Sequence, residues 1–123
     1  MPFEVFDKRT ARSPTEPLVS IQKRGFISLN HAAFEAIGSP KDVELLYDRT
    51  KQIVGLRGVA ANARHGYPIR PNTKGTSHVV SGMLFTKHYD IDVSVSRRWP
   101  AQLRDGILCI DIGKPPLSKG AAE

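Results

Sequence analysis

The side chains of this 123-residue chain that could carry a reaction or hold a metal are four histidines, one cysteine and a few carboxylates. His31, His65, His78 and His88 lie far apart, with no His-x-x-x-His pair and no second cysteine, so the ligand spacing of a zinc centre is missing. In His88-Tyr89-Asp90-Ile91-Asp92 an imidazole stands beside carboxylates, as a general base would require. The same run fits the end of a helix, where a histidine is favoured by the negative terminus. Cys109 sits in the apolar run Ile107–Ile112, which predicts a buried, inert thiol rather than a nucleophile. Neither Gly-x-x-x-x-Gly-Lys-Ser/Thr nor Gly-x-Gly-x-x-Gly occurs, so no phosphate-binding loop is expected. No catalytic residue, cofactor, metal or small-molecule substrate is expected, and the protein is read as a binder rather than an enzyme.

Charge carries more information. The formal charge is +6, and it is unevenly spread. Residues 1–48 hold six basic and seven acidic side chains, whereas residues 49–104 hold ten basic and only two acidic ones, and seven of those ten are arginines. Such a local excess concentrates polyanions near the surface, and arginine suits bidentate phosphate contact. The sharpest local feature is Arg97-Arg98-Trp99-Pro100. Either the arginines grip phosphates while the indole stacks on a base, or Trp99 caps the core and the arginines face water.

These residues must be positioned by the stretch from Gln22 to Gly58. Phe26, Ser28 and Asn30 alternate with Ile27 and Leu29, the pattern of a strand with one buried face. Asn30 is a helix N-cap residue and Gly38 a helix-closing glycine, so about two turns of helix are expected between them, with Ala33, Phe34 and Ile37 on one side. Pro40 blocks continuation. Val43, Leu45 and Tyr47 then alternate in a second strand, Asp48–Lys51 turns, and Ile53 to Leu56 returns.

This order of Lys23 or Arg24, Gly25, Ile27, Leu29, a short helix ending Ile37-Gly38, and a hairpin through Val43, Leu45 and Ile53–Leu56 resembles the SpoVT/AbrB-like, swapped-hairpin family of small bacterial DNA-binding domains. Asn30 stands where that family has proline, and Phe34 where its helix carries an arginine. The resemblance covers about a third of the chain and implies DNA binding by a homodimer. End to end, the chain also looks like an uncharacterised family of small bacterial proteins, which implies no particular activity.

Elsewhere, Phe3 and Val5 predict a short strand, residues 8–17 a loop with Lys8, Arg9 and Arg12 as a basic arm, and Leu18 the start of another strand. Residues 59–77 lose periodicity and read as a long loop tacked to the core by Tyr67 and Ile69. A shift of 51 residues lays Val80 on Leu29, Ser81 on Asn30 and Phe85 on Phe34, so the second half either repeats the first or matches it by chance. The second helix is expected from Gly82 to Tyr89 with Leu84, Phe85 and His88 on one side, a strand through Val93 and Val95, a turn at Asp105-Gly106 and a closing strand at Ile107–Ile112. From Gly113 on, a flexible tail is expected.

The expectation is therefore one β-rich α+β domain over residues 1–112, barrel-like and built from strand, short helix and hairpin units. Its half-units would be 18–58 and 78–112, joined by the loop 59–77, possible halves of an internal pseudo-repeat. Without paired cysteines, a signal peptide or an apolar span, a cytoplasmic location is expected. The expected function is nucleic-acid binding, as a DNA-binding transcriptional regulator working as a homodimer, through Lys23, Arg24, Arg57, Arg97, Arg98 and Trp99. The alternative is a protein-interaction module without catalytic activity.

Overall fold

The computed structural model describes residues 16–61, 63–71 and 77–120; the strand at Phe3 and Val5 and the basic arm at Lys8, Arg9 and Arg12 lie outside them. β1 (Leu18–Ile21) and β2 (Phe26–Leu29) pair antiparallel across a 3-10 turn at Lys23–Gly25. β2 gives way to α1 (His31–Ala36) because Asn30 caps it. The Asn30 Oδ1 accepts from Ala33 N at 2.9 Å and from Leu18 N at 3.0 Å, while its Nδ2 donates to the Glu16 carbonyl at 2.9 Å. One side chain thus starts the helix and pins the start of β1, which explains an asparagine here. Asn30→Ala is expected to cost about 1–3 kcal/mol, seen as a lower urea midpoint at unchanged slope. Gly38, at φ +87°, closes the helix as its left-handed terminus requires.

β3 (Asp42–Asp48) and β4 (Ile53–Val59) form the expected hairpin, its turn held by Asp48 Oδ1, which accepts from the Thr50 and Lys51 amides at 3.0 Å. β5 (Tyr67–Pro71), β6 (His78–Ser81), α2 (Met83–His88), β7 (Ser96–Pro100), β8 (Gln102–Arg104), β9 (Ile107–Asp111) and β10 (Ser118–Gly120) follow. All the strands join one antiparallel sheet in the order β10-β7-β1-β2-β6-β5-β3-β4-β9-β8. β7 and β8 fall near opposite ends of that order yet are separated in sequence only by Ala101, whose amide donates to the Pro17 carbonyl at 3.0 Å. The chain therefore draws the ends of the sheet together, and the sheet curls into a nearly closed, β-rich barrel with two short helices outside it. No described helix is long and apolar enough to cross a membrane.

The barrel is filled by alternate residues of its strands. Val19, Ile21, Ile27, Leu29 and Val80 meet Val43, Val54, Leu56, Leu108 and Ile110, all at or below 1% exposure. Each such side chain contributes about 1.5–3 kcal/mol by leaving water. Helix α1 packs differently from the sequence expectation. Ala33 is buried, but Phe34 is only half-buried and stacks on His78 of β6, with ring centroids 3.8 Å apart and planes 11° apart. Burial, and then the nearby His31, hold the His78 imidazole below its ordinary pKa. Above about pH 6.5 the group is neutral folded and unfolded, and the stack is fully stabilising. As the pH falls below that value the unfolded chain takes up the proton first, so stability declines until the folded pKa is passed. Thermal unfolding scanned from about pH 7 to 5 is expected to show a fall in midpoint that is smaller in His78→Gln.

Three expectations for the second half are corrected. Residues 59–77 are not loop throughout: Tyr67–Pro71 is a strand bridging β3 and β6, with Ile69 N donating to the Lys41 carbonyl at 2.9 Å. No strand runs through Val93 and Val95. Asp92 Oδ1 accepts from Ser94 N at 2.9 Å and Asp90 takes φ +56°, and these local features override the alternation, so β7 starts at Ser96. Leu84, Phe85 and His88 do share one side of α2 and line one groove, with Phe85 buried and Leu84 75% exposed. The segment after Gly113 is no free tail as far as Gly120, because Ser118–Gly120 pairs with β7.

Candidate nucleic-acid interface

Two structural facts build a basic face around α2. The first is the turn between β1 and β2, where Arg24 at φ +76° and Gly25 at φ +100° are both left-handed. Left-handed backbone is strained for arginine, and it is held there by Arg24 N donating to the Val93 carbonyl at 3.4 Å and Lys23 N to Ser96 Oγ at 3.1 Å. Gly25 lies against the helix: a Cβ on it would come within 2.5 Å of Thr86 Oγ1 and 3.0 Å of the Met83 Cα. Lys23 and Arg24 are therefore exposed side chains set beside α2.

The second fact is a groove on the other side of α2. Its larger lobe, about 560 Å³, is lined by Leu45, Tyr67, Leu84, Phe85, Lys87, His88 and Tyr89. A lobe of about 420 Å³ shares Leu45, Tyr67 and Phe85 with it and adds Arg64, His65 and Gly66. At 100° per residue, Thr86 and Met83 face the turn, Phe85 and His88 face the groove, and Lys87 stands between them on the exposed surface. The floor is aromatic: Tyr89 meets Phe85 at 5.2 Å and Tyr47 at 4.9 Å, and the Arg49 guanidinium lies 4.8 Å from the Tyr89 ring centre. Among the described residues no aspartate or glutamate lines either lobe. The groove can therefore hold an anionic chain along Arg64, His65, Lys87 and His88 and offer flat groups the Tyr67 ring.

The structure divides the six residues expected from sequence. Lys23 and Arg24 belong to this face. Arg97 lies near it, but one of its terminal nitrogens donates to the Asp92 carbonyl at 2.5 Å, its guanidinium covers Trp99 at 4.8 Å, and its Nε is buried without a hydrogen-bond partner among the described residues. Arg98 points to the opposite face of β7 and donates from Nε to Ser20 Oγ at 3.1 Å. Arg57 sits on β4, which β2, β6, β5 and β3 separate from β1 in the sheet order, and is ion-paired with Glu44 across the hairpin. Trp99 is 1% exposed and its Nε1 donates to the Lys114 carbonyl at 2.9 Å, so its indole is core and cannot stack on a base. Sequence reasoning missed Arg49, Arg64, His65, Tyr67, Lys87, His88 and Tyr89 as a group. A signal was present: Arg64-His65-Gly66-Tyr67 and Lys87-His88-Tyr89 each set two basic side chains before a tyrosine.

No group of three or more His, Cys, Asp or Glu among the described residues is placed to hold a metal ion. Comparison with protein-family models, with curated proteins and with solved structures yields no match.

Proposed function

We propose that the protein binds nucleic acid on the face formed by the Lys23–Gly25 turn, α2 and the groove beside it. The observation that carries the reading is the groove itself, whose lining brings Arg64, His65, Lys87 and His88 together with Tyr67, Phe85 and Tyr89 and has no acid among the described lining residues. Phosphates run past Lys23, Arg24, Lys87 and Arg64, and unpaired bases lie on Tyr67.

The role we assign is that of a cytoplasmic DNA-binding regulator of the SpoVT/AbrB-like kind, in which two half-units of one chain take the place of a swapped-hairpin homodimer. In support, the strand order is symmetrical about the β2–β6 pair: β2 is flanked by β1 and then β7, and β6 by β5 and then β3. The two helices begin 52 residues apart, at His31 and Met83, which pairs Asn30 with Gly82 as N-caps rather than with Ser81. Fluorescence anisotropy of labelled single-stranded and duplex DNA, from about 50 to 200 mM salt, tests the proposal. Micromolar binding with a steep salt slope is expected, and absence of binding at the lowest salt would overturn it. The protein-interaction reading keeps one observation in its favour: Met83 and Leu84, successive residues of α2, are 44% and 75% exposed, as residues covered by a partner would be.

A further inference from the structure

The barrel seam holds a second, separate cavity of about 230 Å³. On β9, Leu108 and Ile110 fill the core, so Cys109 and Asp111 point outward. There they meet Gln102 and Arg104 of β8, Ile53 of β4, and the segment from Lys114 to Leu117 that leads to β10. That segment is tied to β7 twice, by Trp99 Nε1 donating to the Lys114 carbonyl and by Leu117 N donating to the Arg98 carbonyl at 2.7 Å.

We propose that this cavity binds a small aromatic or alicyclic monocarboxylate, its ring against Ile53, Pro100 and Leu117 and its carboxylate facing Arg104 and Lys114. Size supports a ring with one polar substituent, since a cavity of about 150 Å³ already accepts benzene. Charge selects the substituent. Arg104 and Lys114 face one acid, Asp111, whose Oδ1 already accepts from Gly113 N at 3.1 Å. The Arg104 guanidinium is steered by its own strand, donating to Gln102 Oε1 at 2.8 Å. It also faces Cys109: burial pushes that thiol up and Arg104 pulls it down. The raised thiol stays neutral, so it does not repel an anion. Leu117, 59% exposed, supplies apolar surface for the ring to cover.

The chain has one tryptophan and one cysteine, and both line this cavity, so both report on it. The full-length protein would be titrated with benzoate, cyclohexanecarboxylate and benzamide, following the indole N–H resonance of Trp99 and the rate at which iodoacetamide alkylates Cys109. Saturable benzoate shifts of the indole resonance, slowed alkylation, and affinity for benzamide weaker by about tenfold, the effect of one charge-assisted pair, are expected. Arg104→Gln, an exposed edge-strand change, should remove the preference for acid over amide while leaving the fold intact. Benzamide binding as tightly as benzoate, or no saturable indole shift by about 10 mM of either acid, would overturn the assignment.

Discussion

Replacing Lys23, Arg24 and Lys87 together by glutamine is expected to weaken single-stranded DNA binding at least about tenfold and to lower the salt slope by about two, since each phosphate neutralised by the protein adds about 0.7 to that slope. All three side chains are exposed, so the fold should be unaffected, and circular dichroism with a thermal scan checks this. The position of the three matters more than the number of charges removed. Lys23 and Arg24 stand on the turn that Gly25 packs against Thr86, and Lys87 projects from the same helix between turn and groove. An anionic strand crossing α2 therefore passes all of them. Arg57→Gln removes a cation of the same kind on β4, where it is paired with Glu44 across the hairpin. Its affinity should stay within about twofold of wild type, because a cation already paired with Glu44 releases few counterions. If Arg57→Gln weakens binding as much as the triple variant, the effect is one of net charge, and the interface around α2 is wrong.

Trp99→Ala is expected to cost about 3–5 kcal/mol, the largest single-residue stability loss anticipated in this chain. The indole is 1% exposed, lies opposite Val19 in the β1–β7 pairing, and holds the Lys114 carbonyl across the seam. Truncation would leave a void inside, unpair that carbonyl and remove the surface under Arg97. Against a total stability of about 5–15 kcal/mol for a domain, such a loss leaves little margin at physiological temperature. Trp99→Phe keeps most of the volume and forfeits the hydrogen bond, so a smaller cost of about 1–2 kcal/mol is expected in urea unfolding. The pair also separates the two readings of this residue. Folded Trp99→Phe should bind DNA as wild type does, whereas a loss of affinity without loss of structure would return the indole to the interface.

Local chemistry was readable wherever one residue type has one job. Asn30 as cap, Gly38 as terminator, the Asp48–Lys51 turn and the Asp105-Gly106 turn act within a few residues of themselves, and the structure has each in place. Strand β1 from Leu18 and the β3–β4 hairpin followed from alternation for the same reason. The strand at Val93 and Val95 misled because an aspartate two residues from an amide competes with the ladder, and alternation does not register that competition. Tyr67–Pro71 was hidden by its prolines, which propensity excludes from strands but which a bridging strand accommodates.

Sequence alone determined the β-rich class, the capped helix with its hairpin, the excess of cations after residue 48, and the absence of known metal and nucleotide motifs. Only the tertiary structure decided which cations share a face. Arg57, Arg97 and Arg98 are as basic in sequence as Lys23 and Arg24, yet the barrel pairs the first with Glu44, folds the second over Trp99 and turns the third to the other side of β7. It also brought Arg64 and His65 to Lys87 and His88, more than twenty residues away, and set Cys109 beside Trp99 in a cavity. The physical reason is common to all of these. Caps and turns are short-range and depend on residue type, whereas a site is a matter of strand order and register, and those are settled by burial of the whole core.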